Sequence, residues 1–138
     1  MDTGHIICIS CPKGCRIKIK GKDDEIKFIT GYDCIQGKEY ALKEYKNPTR
    51  ILPTTVKVGN GELPLVPVKT KQPIAKDIIF KAMKETAKIT VEAPIRIGDI
   101  IISNLLNTGV DIVATRNIEK SQNNISGFAN TRHGNRYV

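Results

Sequence analysis

All four cysteines of the chain fall between residues 8 and 34, and their spacing constrains everything around them. Cys8-Ile9-Ser10-Cys11-Pro12-Lys13-Gly14-Cys15 places three thiols in eight residues, and Gly31-Tyr32-Asp33-Cys34-Ile35-Gln36-Gly37 supplies the fourth after a spacer of eighteen. A fold that gathers these sulfurs needs a tight loop at 8–15 and a hairpin that returns residue 34 beside it. Separations of two and three residues let the loop sulfurs converge on one centre. Pro12 stiffens the loop, and Gly14 accepts the backbone angles needed when amides turn inward. Inward amides hydrogen-bond thiolate or sulfide and tune a reduction potential. Lys13, Arg16, Lys18 and Lys20, close by in sequence, favour the thiolate form. Cys8, Cys11, Cys15 and Cys34 are therefore the candidate ligands of a metal or iron–sulfur centre.

Structural zinc sites usually take two separated knuckles of two ligands each, whereas the division here is three plus one, with no second ligand beside Cys34. A cubane accepts that arrangement, so a four-iron four-sulfur cluster is the leading expectation and zinc the alternative. A metal-free thiol pair, Cys8 and Cys11 in a Cys-x-x-Cys arrangement, lacks the strand–helix context of thioredoxin-like chemistry. The N-terminus has neither the basic region nor the apolar segment of a secretory signal, and no apolar run is long enough to span a membrane. A reducing, cytoplasmic location follows as the expectation, and there such cysteines serve as ligands more often than as disulfides.

The net charge of +8 raises the question of a nucleic-acid partner. Residues 1–47 carry nine basic and seven acidic side chains, 48–118 ten and six, and 119–138 three and one, so the excess is spread along the chain. Aromatic residues, at 5%, are too few for base-stacking platforms, which leaves a zinc-ribbon-like nucleic-acid binder the weaker reading. A basic surface attracts an acidic partner equally well. No Ser/His/Asp or Cys/His set is arranged for nucleophilic catalysis, and His5 and the Asp23-Asp24-Glu25 run read as surface and turn. A non-catalytic redox or accessory subunit is expected rather than an independent enzyme.

Hydrophobic periodicity organises the rest. Residues 4–9 and 15–20 predict strands flanking the cysteine loop, with strict alternation in Arg16-Ile17-Lys18-Ile19-Lys20. Glu25–Thr30 returns as a third strand, Gly37 admits a short helix over Lys38–Lys46, and Asn47-Pro48 stops it. Strands follow over Arg50–Val58 and Glu62–Thr70 around Gly59-Asn60-Gly61, where Pro64 and Pro67 argue for a sheet edge or an irregular ladder. One principal helix spans Ala75–Ala87, its apolar stripe made of Ile74, Ile78, Ala82, Met83 and Ala87. Short strands are expected at Ile89–Glu92, Gly98–Ile102 and Val110–Thr115. The predicted class is α+β: a cysteine-rich metal-site module over 1–47, a module over 48–118 with its principal helix on a small, mostly antiparallel sheet, and a flexible tail over 119–138.

Cys8-x2-Cys11-Pro12-x-Gly14-Cys15 followed by Gly31-x2-Cys34-x2-Gly37 resembles the iron–sulfur segment of molybdopterin oxidoreductases, with a shorter spacer and Gln36 where those enzymes often carry a basic residue. A broader likeness rests on Tyr40-Ala41, Pro48-x-Arg50, Val66-Pro67-Val68-Lys69-Thr70, Pro73-Ile74-x-Lys76, Ala93-Pro94, Ile97-Gly98-Asp99 and Gly109-Val110-Asp111-Ile112-Val113-Ala114-Thr115-Arg116. Through these residues the chain, over about 6–118, resembles the DUF1667 family of small prokaryotic proteins. That resemblance implies four ligand-like cysteines. It also implies genes grouped with flavin-dependent dehydrogenases of the glycerol-3-phosphate type and with pyridine-nucleotide oxidoreductases. The function expected is iron–sulfur electron transfer in the service of such a flavoprotein, with a zinc-stabilised interaction module as the alternative.

Overall fold

The structure, a computed structural model, describes residues 2–122. It begins with three antiparallel strands in the order β1-β2-β3: β1 Asp2–Ile7, β2 Arg16–Lys22 and β3 Glu25–Thr30. In β2 the alternation of the sequence becomes alternation in space, with Ile17, Ile19 and Gly21 buried and Arg16, Lys18, Lys20 and Lys22 exposed. Helix α1, Ile35–Lys46, crosses the apolar face, and its Ala41 is fully buried with Cys8, Ile17 and Ile19. The helix stops where Asn47 donates its N–H to the Lys43 carbonyl at 2.9 Å, one residue before Pro48.

Beyond Pro48, β4 (Thr49–Arg50) pairs with β7 (Ile74–Ala75) as a two-stranded ribbon. A five-stranded sheet follows in the order β8-β5-β6-β10-β9, built from β5 Pro53–Gly59, β6 Leu65–Thr70, β8 Thr90–Glu92, β9 Ile100–Ile102 and β10 Ile112–Ala114. Its ladders are antiparallel except β5 with β8. Helix α2, Ile79–Ala87, packs against this sheet over a second core that includes Val56, Val66, Val68, Ala82, Leu105 and Ile112. The two cores share no buried residue. The molecule is α+β, with mostly antiparallel sheets, as its periodicity predicts.

Three local expectations are corrected. The longest helix is α1, with 12 residues against 9 in α2, and it starts at Ile35 instead of Lys38 because Cys34 caps it. Helix α2 starts at Ile79, not Ala75: Ile74 and Ala75 are held in the β4–β7 ribbon, and a 3₁₀ turn over Lys76–Ile78 follows. Its buried residues are Ala82 and Thr86, while Met83 is 42% exposed and Ala87 lies in solvent. The apolar stripe thus faces the core through Ile78, Ile79 and Ala82, continued by a threonine whose hydroxyl donates to the Met83 carbonyl at 2.8 Å. Polarity hid Thr86, which satisfies its own hydroxyl within the helix.

Pro67 does not mark a sheet edge, since β6 lies between β5 and β10. Its carbonyl accepts the Thr115 N–H at 2.9 Å, just past the Ala114–Val68 pair that ends the β10 ladder. In a strand, N–H and C=O of one residue point to the same side, so the missing donor of Pro67 faces the place where that ladder has ended. At the other end of the chain, Glu119 donates its N–H to the Glu62 side chain, and Ser121 to the Asn60 carbonyl. The predicted tail is therefore joined to the β5–β6 turn as far as Ser121, and its remainder, 123–138, lies outside the described residues.

Candidate metal centre

The cysteine loop is the connection between β1 and β2. Cys8 follows the last residue of β1, Cys15 precedes the first of β2, and the Cys8 N–H donates to the Cys15 carbonyl at 2.9 Å. That bond closes the neck of the loop. Gly14 turns within it at φ +63°, with nothing inside 4 Å of where a Cβ would stand, so glycine is required there for backbone conformation alone.

Return of the fourth cysteine depends on Gly31. It has φ +89°, and a Cβ there would lie 2.2 Å from the Arg16 carbonyl oxygen. Only glycine lets the chain leave β3 so close to the β2 backbone. Cys34 then adopts an extended conformation (φ −146°, ψ 163°) as N-cap of α1, its sulfur accepting the Gly37 N–H at 3.3 Å. The Gly37 amide is one of those at the start of a helix that have no partner within the helix, and the Cys34 sulfur supplies one.

Gly37 has a second role. A Cβ on it would stand 3.6 Å from the Cys8 sulfur and 3.7 Å from the Cys34 sulfur, so these two cysteines face one another over the same glycine. Cys8 is only 3% exposed, Cys15 is half-buried, and Cys11 and Cys34 are exposed. The Cys15 thiol donates to the Asp33 carboxylate at 3.7 Å, and Asp33 also pairs with Lys13 from the loop. The Lys13 ammonium, through hydrogen bond and charge, holds the Asp33 carboxyl below the usual carboxylate range, and Asp33 in turn pushes Lys13 up. All four thiols are free.

In this arrangement the sulfurs are grouped as Cys8 with Cys34, and Cys15 with Asp33. Among the described residues no three of His, Cys, Asp and Glu stand close enough to share one metal ion. The chemistry of the donor set is that of a four-thiolate group: four free thiols, three in the β1–β2 loop and one at the start of α1, one of them buried, one already receiving an amide hydrogen bond, and a glycine that keeps side-chain bulk away from two of them.

Beside Cys8 lies a groove of about 600 Å³ between β1, α1 and β4, lined by His5, Ile7, Ile9, Tyr40, Glu44 and Arg50 among others. Burial, followed by the Glu44 charge, pushes the Tyr40 phenol up. Glu44 and Arg50 form a two-pronged ion pair, one hydrogen bond of which measures 2.9 Å, and Arg50 also donates to the Thr49 carbonyl at 2.8 Å. This pair ties α1 to β4.

Of the residues singled out by sequence, Cys8 and Cys34 come together over Gly37, and Cys15 reaches Asp33. His5 is exposed on β1, opposite Lys18 of β2. Tyr32 lies under the Lys38 ammonium, 5.7 Å from its ring centre. Sequence reasoning missed Asp33, although its place directly before a ligand-like cysteine and its sign opposite to Lys13 were the available signal. It also missed the Glu44–Arg50 pair, whose members approach only once β4 has formed.

Comparison with known proteins adds two matches. Residues 35–116 match the model of DUF1667, described as a protein of unknown function. The match begins one residue after Cys34, so the four cysteines lie outside it. A solved structure that matches is the NMR structure of the Clostridium perfringens protein CPE0013, 27% identical, with a TM-score of 0.50 over 62% of this chain and 98% of that one. No curated protein matches. No helix among the described residues is long and apolar enough to cross a membrane.

Proposed function

The chain belongs to the DUF1667 family, and from that premise we propose that it is an accessory electron-transfer protein whose Cys8, Cys11, Cys15 and Cys34 hold a four-iron four-sulfur cluster. A cytoplasmic flavin-dependent dehydrogenase, of the glycerol-3-phosphate type, or a pyridine-nucleotide oxidoreductase subunit is the partner this reading assigns. The observation that carries it is the convergence of Cys8 and Cys34 on Gly37 beside the closed Cys8–Cys15 neck. When bound, such a cluster supplies a one-electron reservoir. The chain's residues do the rest. Gly37 donates to a ligand sulfur, Lys13 pairs with the Asp33 carboxylate that receives the Cys15 thiol, and the apolar packing around Cys8 keeps water from one side of the site.

Anaerobic purification followed by iron, acid-labile sulfide and zinc analysis tests the reading. Iron and sulfide in equal amounts, lost on substitution of any of the four cysteines by serine, is the expected result. Stoichiometric zinc without sulfide would overturn it and assign the corner to a zinc-stabilised interaction module.

A further inference from the structure

One face of the three-stranded sheet is covered by α1; the other is left exposed by the described residues. Cross-strand partners in an antiparallel ladder share a face, so the pairs His5–Lys18, Thr3–Lys20, Ile7–Arg16, Lys18–Thr30, Lys20–Phe28 and Lys22–Glu25 define the outer surface. Down its middle strand run Arg16, Lys18, Lys20 and Lys22, all exposed, at a spacing of about 7 Å for alternate residues. Among the described residues none of these four takes part in a salt bridge; Glu25, opposite Lys22, is the acidic side chain nearest in register. Two apolar side chains flank the row: Phe28, 54% exposed, and Ile7, 60% exposed.

We propose that this outer sheet face docks the carboxylate-rich surface of a redox partner protein, an inference that rests on the electron-transfer reading of the adjoining cysteine corner. Like charges held in a row repel, and nothing within the described fold compensates Arg16, Lys18 and Lys20. An acidic surface does. The row starts at Arg16, directly after Cys15, so a partner aligned along it sits against the cysteine corner. The face measures about 10 by 20 Å, enough for the charged centre of a small, transient interface whose remainder falls on the adjoining cysteine corner. Exposed apolar anchors beside charge are the composition of such an interface. Single-stranded nucleic acid, another polyanion, is held on aromatic platforms, and among the described residues Phe28 is the one phenylalanine, tyrosine or tryptophan on this face.

The full chain is titrated with poly-L-glutamate of about twenty residues at low salt, with binding followed by amide chemical shifts and by anisotropy of the labelled peptide. Expected are shifts centred on Lys18, Lys20 and Phe28, and about tenfold weaker binding when salt rises from about 20 to about 200 mM. The double variant Lys18→Gln/Lys20→Gln should lose about tenfold in affinity, and Lys81→Gln/Lys84→Gln, the same charge change on α2, less than about twofold. Both variants are checked for unchanged melting temperature. Equal losses in the two, or shifts spread over all lysines, overturn the proposal. So does oligothymidylate of about twenty nucleotides held tighter than the peptide through the same face. Metal analysis on the same sample separates the two readings: iron and sulfide without face-specific binding refutes the docking surface alone, and face-specific binding without them refutes the electron-transfer role alone.

Discussion

At the residue scale, Gly31 is where the cysteine segment tolerates least change. A methyl group there meets the Arg16 carbonyl oxygen, and a φ of +89° is unfavourable for any L side chain. Gly31→Ala should lower stability by about 3 kcal/mol, read from urea midpoints. Gly14→Ala, with open space around it, should cost only about 1 kcal/mol for the left-handed conformation. Thr70 makes a second local case. Fully buried, it accepts the Leu52 N–H on its hydroxyl at 3.0 Å, so Thr70→Val leaves that amide unsatisfied and should cost about 2 kcal/mol. The candidate ligands were readable because three of them lie within one loop, where spacing is geometry. Asp33 was not, since its contact with Lys13 exists only after β3 has carried it back to the loop.

At the element scale, α1 is held from both ends, by Cys34 at its start and by the Glu44–Arg50 pair near its finish. Arg50, chiefly by hydrogen bonding, holds the Glu44 carboxyl below the ordinary glutamate value of 4.5. A depressed carboxyl binds its proton less well folded than unfolded. Its contribution is therefore complete above the unfolded pKa and is lost as pH falls through the lower, folded one. Glu44→Gln should be less stable than the parent at pH 6, with the gap in urea midpoint closing below about pH 4 as the parent's carboxyl protonates. Strands were legible from alternation, β2 above all. Helix limits were less so: the α1 start depends on a cysteine acting as cap, and the α2 start on a ribbon between residues distant in sequence.

At the scale of the whole molecule, two buried clusters on either side of Pro48 share no member. On the proposal that the four cysteines share one centre, Cys34→Ser should release bound metal and speed amide exchange in β1–β3, while amides of Val66–Thr70 keep their protection. Exchange quickening equally in both regions would show a single cooperative unit instead. The α+β class followed from the order of alternating and helical periods, but the parallel pairing of β5 with β8 could not, because pairing partners are chosen by packing across the intervening chain. Helix α1 opens at Ile35, where the family match also opens, yet Ala41 is buried against Cys8, Ile17 and Ile19, none of which the match includes. Shared ancestry and shared packing thus draw different borders through this protein. Trimmed to 35–116, the chain would keep α1 stripped of its counterpart surface, and circular dichroism should find less helix than α1 and α2 together supply.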